Sequence, residues 1–128
     1  GFLIAFIGHA VSDGVQYGSP WWSWVVASGI DCMLIGFCCT KLKVEEGIFR
    51  RKDIVLFNVC QLLANVISWL VVAPALDVFI YGEPAGYVFT QGVISTITNT
   101  ISAGVIGTVL LLIYSKTRSK KGSLTQEG

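Results

Sequence analysis

Residues 54–73 read IVLFNVCQLLANVISWLVVA, twenty residues without a formal charge. A helix needs about 20 apolar residues to cross a bilayer core, so this stretch decides the fold class. Arg50, Arg51, Lys52 and Asp53 precede it and Pro74 follows it. Asp53 suits a helix N-cap and Pro74 a helix stop, which predicts a span over 53–73. On both sides the poverty of charge persists. From Ile54 to Leu112 the only charges are Asp77 and Glu83, and from Gly1 to Thr40 they are Asp13 and Asp31. Of 128 residues 53% are hydrophobic and 13% charged. An average soluble domain carries roughly 25% charged residues. Mean hydropathy is +0.68. A soluble enzyme domain, a disordered chain and an ordinary DNA-binding module are excluded. The composition is that of an all-α membrane protein, a bundle of transmembrane helices in a lipid bilayer.

Three further apolar segments flank the first. Residues 87–114 would form a helix of roughly 42 Å, longer than a hydrocarbon core of about 30 Å, so it is expected to tilt or protrude. Residues 20–40 open with Trp21, Trp22 and Trp24, an aromatic anchor at headgroup depth, with Pro20 and Ser19 at the helix start. Residues 1–12 are too short to cross and begin without Met. They are expected to be the end of a truncated span, and the chain a fragment. No basic stretch precedes them, so they do not read as a signal peptide.

Lysine and arginine set the topology. Five of the nine lie in 41–52 and four in the tail, at Lys116, Arg118, Lys120 and Lys121. Basic residues near span ends mark the cytoplasmic side. Loop 41–52 and the tail 116–128 are therefore expected inside, the bundle occupying 1–115. Two spans separate the clusters, which returns the chain to one side. Loops 12–19 and 74–86 then lie outside, and neither contains Lys or Arg. No aromatics interleave with the tail charges, and nucleic acid is not an expected partner.

Two polar stripes run along the last two spans. Asn58, Gln61, Asn65 and Ser68 fall within about 80° of one another on a helix. Gln91, Ser95, Thr98 and Ser102 form the second stripe, with Asn99 at its edge. Both are expected to turn away from lipid. They read either as interhelical hydrogen-bond glue or as the wall of a polar cavity, and Asn65, Gln91 and Asn99 are the cavity candidates. Ser28, Cys32, Gly36 and Thr40, and likewise Ala103 and Gly107, make small faces for close helix packing or for docking a partner.

Asp31 lies near the middle of its span, where a carboxylate is costly. It is either a ligand or proton site or a protonated carboxyl bonded to a neighbouring helix. His9 and Asp13, four residues apart, are either a capping pair or a polar cluster at the mouth of a site. Loop 74–86 carries an apolar centre, Leu76–Tyr81, and is expected to fold back as a lid. The chain has one His and no HExxH, and its cysteines Cys32, Cys38, Cys39 and Cys60 lie within spans without ligand spacing. No metal site, cofactor or disulfide framework is expected. Walker A, GxGxxG and GxSxG motifs are absent, so neither nucleotide hydrolysis nor serine catalysis is expected.

The stretches GHAVSDG, YGSPWWSWVVASG, FNVCQLLANVISW, APALDVFIYGEPAGYVFTQGVIS and the closing KKGSL together resemble the S components of energy-coupling factor (ECF) transporters. The branch is the one grouped with riboflavin-type S components. The resemblance implies a bundle of six helices, of which these would be the last four. It implies capture of a water-soluble vitamin or precursor (riboflavin-like, pyrimidine or pyridoxine type) near the outer face. It also implies partnership with a transmembrane coupling subunit and two ABC ATPases, and a cell-membrane location. His9 and Asp13 match the GHxxxD block, Asn65 and Trp69 the ANxxxW block and Gln91 the FTQG block. With Trp24, Tyr87 and Asn99 these are the expected substrate-binding residues. A flat heteroaromatic ring would stack on Trp24 or Trp69 while Asn65, Gln91 and Asn99 pair with its polar edge. Competing readings are an intramembrane enzyme using His9, Asp13 and Asp31, and a purely structural membrane subunit.

Overall fold

The computed structural model describes residues 1–118, and among these there are helices and turns but no strand. Four long helices follow in order: α1 Phe2–Tyr17, α2 Trp22–Cys39, α3 Arg51–Tyr81 and α4 Ala85–Thr117. The last three are long and apolar enough to cross a membrane. Their outer faces are apolar. Ile4, Val15, Leu63, Val71, Ile97, Ile101 and Val105 all stand exposed. Such faces suit hydrocarbon rather than water.

Helices α1 and α2 form an antiparallel hairpin. Gly18 closes α1 in the left-handed region (φ 84°), its N–H bonded to Gly14 O. At the far end the Phe2 ring lies against Gly29, where a Cβ would come within 2.6 Å of it. After α2 a short 3₁₀ turn, Val44–Glu46, leads through Gly47 to α3. Gly47 backs onto the carbonyls of Ser115 and Arg118 at the end of α4. Lys41, Lys43 and Arg118 accordingly line one cleft. The two basic segments meet at one end of the bundle as far as Arg118. Lys120, Lys121 and the rest of the expected tail lie outside the described residues.

Several expected helix ends are corrected: α1 runs to Tyr17, through most of the expected loop 12–19, and α2 begins at Trp22 with Trp21 rather than Ser19 as its N-cap. Asp53 is not the N-cap of α3; Arg50 is, and Asp53 sits three residues on, accepting the Arg50 backbone N–H at 2.8 Å. More consequentially, α3 does not stop at Pro74. It runs to Tyr81, and only Gly82–Pro84 connect it to α4. The lid expected over 74–86 is therefore mostly helix. Proline ordinarily breaks a helix by withholding an N–H and crowding the preceding turn. Here the preceding turn is widened into π-helix over Val66–Val72, and the Ala73 N–H bonds Ser68 O five residues back. In that register Pro74 would owe its missing bond to Trp69 O. The backbone of α4 approaches that carbonyl at Gly92, where a Cβ would sit 2.4 Å from it and 2.9 Å from Pro74 Cγ.

The polar stripe of α3 turns inward. Gln61, Asn65 and Ser68 are buried. Asn58 Nδ2 donates to Thr108 Oγ1 at 3.0 Å, and Gln61 Nε2 donates to Thr100 O at 3.2 Å. Asn65 Nδ2 donates to Gln61 O and Gln61 Oε1. This is glue between α3 and α4. Replacing Gln61 with Leu is expected to cost about 1 kcal/mol of helix association in detergent-unfolding titrations, because it removes the bond to α4 and one partner of Asn65.

The stripe of α4 behaves differently. Val88, Gly92 and Thr96 form its buried line. Gln91 and Ser95 sit beside that line, whereas Thr98, Asn99 and Ser102 are exposed. The expectation that the whole stripe turns inward is corrected. The Thr98 hydroxyl and the Asn99 amide donate to carbonyls of their own helix, Ile94 O and Ser95 O at 2.9 Å each. Side chains bonded this way need no partner on a neighbouring helix.

Candidate functional site

The site is built from the PWWSW segment and one acid. Trp21, at the N-cap of α2, and Ser23 and Trp24, in its first turn, converge on Asp77, one helical turn past Pro74 on α3. Asp77 Oδ1 accepts the Trp21 indole N–H at 2.7 Å and the Ser23 hydroxyl. Asp77 Oδ2 accepts the Trp24 indole N–H at 2.7 Å. The carboxyl group is only 2% exposed. A buried carboxylate is tolerated when its lone pairs are filled by donors, and charge-assisted bonds of this kind are the strong ones. They lock both indoles in place. Tyr81, one turn further on, lies 4.6 Å from the Trp21 ring (centroid to centroid), and its hydroxyl accepts the Trp22 N–H at 3.3 Å.

Helix α1 supplies the opposite wall. Asp13 Oδ2 accepts the Trp21 backbone N–H at 3.1 Å, placing a carboxylate at the N-terminus of α2, where the helix dipole favours it. Its other oxygen lies 3.4 Å from His9 Nε2. His9 Nδ1 shares a hydrogen bond with Ser28 on α2. Helix α4 closes the site with Tyr87, Val88, Gln91, Ile94 and Ser95, and Gln91 Nε2 donates to the Tyr87 hydroxyl at 2.9 Å.

These walls enclose a cavity of about 650 Å³. That lies within the range of about 300–1,000 Å³ typical of small-molecule sites. It opens at the end of the bundle where α2 begins. The basic loop 41–52 follows the other end of α2, about 27 Å away along its axis. Trp24 stacks on Trp69 behind it with centroids 5.6 Å apart, and Ala27 and Ala73 complete the small core beneath.

Of the residues singled out from sequence, His9, Asp13, Trp24, Tyr87 and Gln91 line this cavity together. Three do not. Trp69 forms the layer behind Trp24 and lies 6.2 Å from the His9 ring, its indole N–H buried without a partner among the described residues. Asn65 is 1% exposed and donates only to Gln61 on its own helix, its Oδ1 buried without a partner among the described residues. Asn99 lies two turns beyond Gln91 on the exposed face. Sequence reasoning missed Tyr17, Trp21, Asp77 and Glu83. The signal for Asp77 was its rarity: it and Glu83 are the only charged residues between Ile54 and Leu112.

Asp31 does not line the cavity, and its Oδ1 is buried without a partner among the described residues. Both ring nitrogens of His9 are engaged by Ser28 and Asp13. No hydrogen bond joins Asp31 to His9 among the described residues, so the grouping His9–Asp13–Asp31 expected of an enzyme does not assemble. Nor does any set of three or more candidate metal ligands occur among them.

A family model described as ECF-type riboflavin transporter, S component matches residues 1–116. Among curated relatives, a UPF0397 protein of Streptococcus agalactiae is 52% identical over 127 residues, which is 99% of this chain and 70% of the relative. A UPF0397 protein of Clostridium perfringens is 55% identical, with 99% of this chain and 69% of the relative aligned. One from Lacticaseibacillus casei is 50% identical, with 99% and 68% aligned. No solved structure gives a significant match. Membrane-crossing helices and a near-complete family match agree. The chain belongs to the ECF-type riboflavin transporter S component family, whose members are components of membrane transporters rather than enzymes.

Proposed function

We propose that the protein is the substrate-capture subunit of an ECF importer. It binds a water-soluble vitamin or precursor in the cavity between Trp24, Tyr87, His9 and Gln91. The observation that carries this reading is the cavity itself: vitamin-sized, aromatic on two sides, and furnished with an amide, a hydroxyl and an imidazole. A flat ring lies against Trp24, and its polar edge meets Gln91 and the Tyr87 hydroxyl. Riboflavin-like, pyrimidine and pyridoxine frames all fit this chemistry.

The cavity faces the outside. This orientation follows from the basic residues at the opposite end, which the positive-inside rule assigns to the cytoplasm. Membership of the S component family supports a coupling subunit and two ABC ATPases as the partners that power transport. Trp21 and Trp24 line the cavity and Trp69 stacks directly behind Trp24, so ligand entry is expected to quench intrinsic fluorescence. The test is titration of the detergent-purified protein with vitamins of these three frames. A saturable quench, weakened about tenfold or more in Trp24→Ala and Gln91→Ala, supports the assignment. Equal affinity in both variants overturns it.

A further inference from the structure

Resting on the capture reading, a second property concerns the charge of what is captured. The cavity is lined by Asp13, Asp77 and Glu83 and by no Lys or Arg. Every Lys and Arg of the chain lies in 41–52 or 116–121, and the first of these segments follows the far end of α2. The three acids are not equivalent. Asp77 is saturated by two indoles and a hydroxyl. Asp13 is shared between the Trp21 N–H and His9. Glu83, half-buried in the short connection between α3 and α4, has no side-chain hydrogen bond or ion pair among the described residues.

Around these acids stand Tyr17, Trp21, Trp24 and Tyr87. Aromatic faces attract a cation through their quadrupoles, by about 0.5–2 kcal/mol depending on desolvation. A cleft of one charge sign with apolar walls, here Val88 and Ile94, concentrates ions of the opposite sign. An anionic ligand would find only His9, already engaged by Asp13 and Ser28, as a basic side chain among the described lining residues.

We propose that this cavity selects a positively charged flat heteroaromatic ligand, with Glu83 as its counter-charge, and rejects the phosphorylated form of the same ring. The test uses the intact protein in detergent and compounds sharing one ring. Pyridoxamine carries an ammonium group, pyridoxine is uncharged at that position, and pyridoxine phosphate is anionic. Thiamine serves as a permanent cation. Fluorescence quenching and calorimetry are read at low and high salt.

Pyridoxamine is expected to bind about tenfold tighter than pyridoxine, and pyridoxine phosphate weaker still. The advantage should shrink at high salt. Glu83→Gln is expected to erase most of the preference for the cation, read as the ratio of pyridoxamine to pyridoxine affinity within the variant. Phosphate-bearing ligand bound as tightly as its parent, or a preference untouched by Glu83→Gln, overturns the charge assignment and leaves capture standing. No response to any of these four compounds overturns the charge assignment. If, in addition, no small molecule copurifies with the protein, capture itself fails.

Discussion

Replacing Asp77 with Ala is expected to abolish ligand capture and to destabilise the bundle by about 3 kcal/mol, because three donors lose their only acceptor among the described residues and each orphaned donor costs about 1 kcal/mol or more. The donors are the Trp21 and Trp24 indoles and the Ser23 hydroxyl. Two of them are cavity walls, so the loss is functional as well as structural. Freed indoles should also shift tryptophan emission to the red. Asp77→Asn is expected to be intermediate. Its amide oxygen still accepts, but its NH₂ group faces a donor where the second carboxylate oxygen was. Chemical or thermal unfolding in detergent, read beside ligand titration, checks both variants. Wild-type stability and affinity in Asp77→Ala would contradict the role assigned to this acid.

Gly92→Ala is the second large effect. An added Cβ would meet Trp69 O at 2.4 Å and Pro74 Cγ at 2.9 Å. Neither is the end of a flexible side chain, so the helices themselves must separate. The expected loss is about 2–3 kcal/mol, the upper range for overpacking a close contact. Gly86→Ala is the control, since nothing lies within 4 Å of a Cβ there. Gly104→Ala should fall between them. Its Cβ would lie 3.0 Å from Asn58 Oδ1 and 3.2 Å from Gln61 Nε2, longer approaches made to side-chain atoms rather than to backbone. Equal melting curves for all three variants would remove the close approach of α3 and α4 as a determinant of stability.

The membrane class and the existence of three helices long and apolar enough to cross a membrane were legible in the sequence. Long apolar runs report directly on the solvent a helix needs. The cavity was legible in part. His9, Asp13, Trp24, Tyr87 and Gln91 meet because each lies near the same end of its helix, which helix length alone largely dictates. What escaped was the continuation past Pro74. A proline normally ends a helix, and the π-helical register that accommodates it depends on packing against Gly92, a long-range contact. That one misreading placed Asp77 in a loop and hid its role.

Asn99 and Asn65 stand outside the cavity lining for a different reason. Polarity on a membrane helix signals the need for a hydrogen bond but not its source. Asn99 finds its partner in Ser95 O on its own helix, and Asn65 in Gln61 one turn away. Neither bond calls for a ligand. Tyr87 and Gln91 also bond each other, yet their helix position turns them to the cavity.

Native mass spectrometry of the intact protein, released gently from membranes of cells grown in vitamin-replete medium, tests the central claim most directly. One vitamin-sized molecule per chain in the wild type, absent from Asp77→Ala and Trp24→Ala, is the predicted result. A wild-type spectrum showing only the bare polypeptide mass, or an adduct that survives both substitutions, would contradict it.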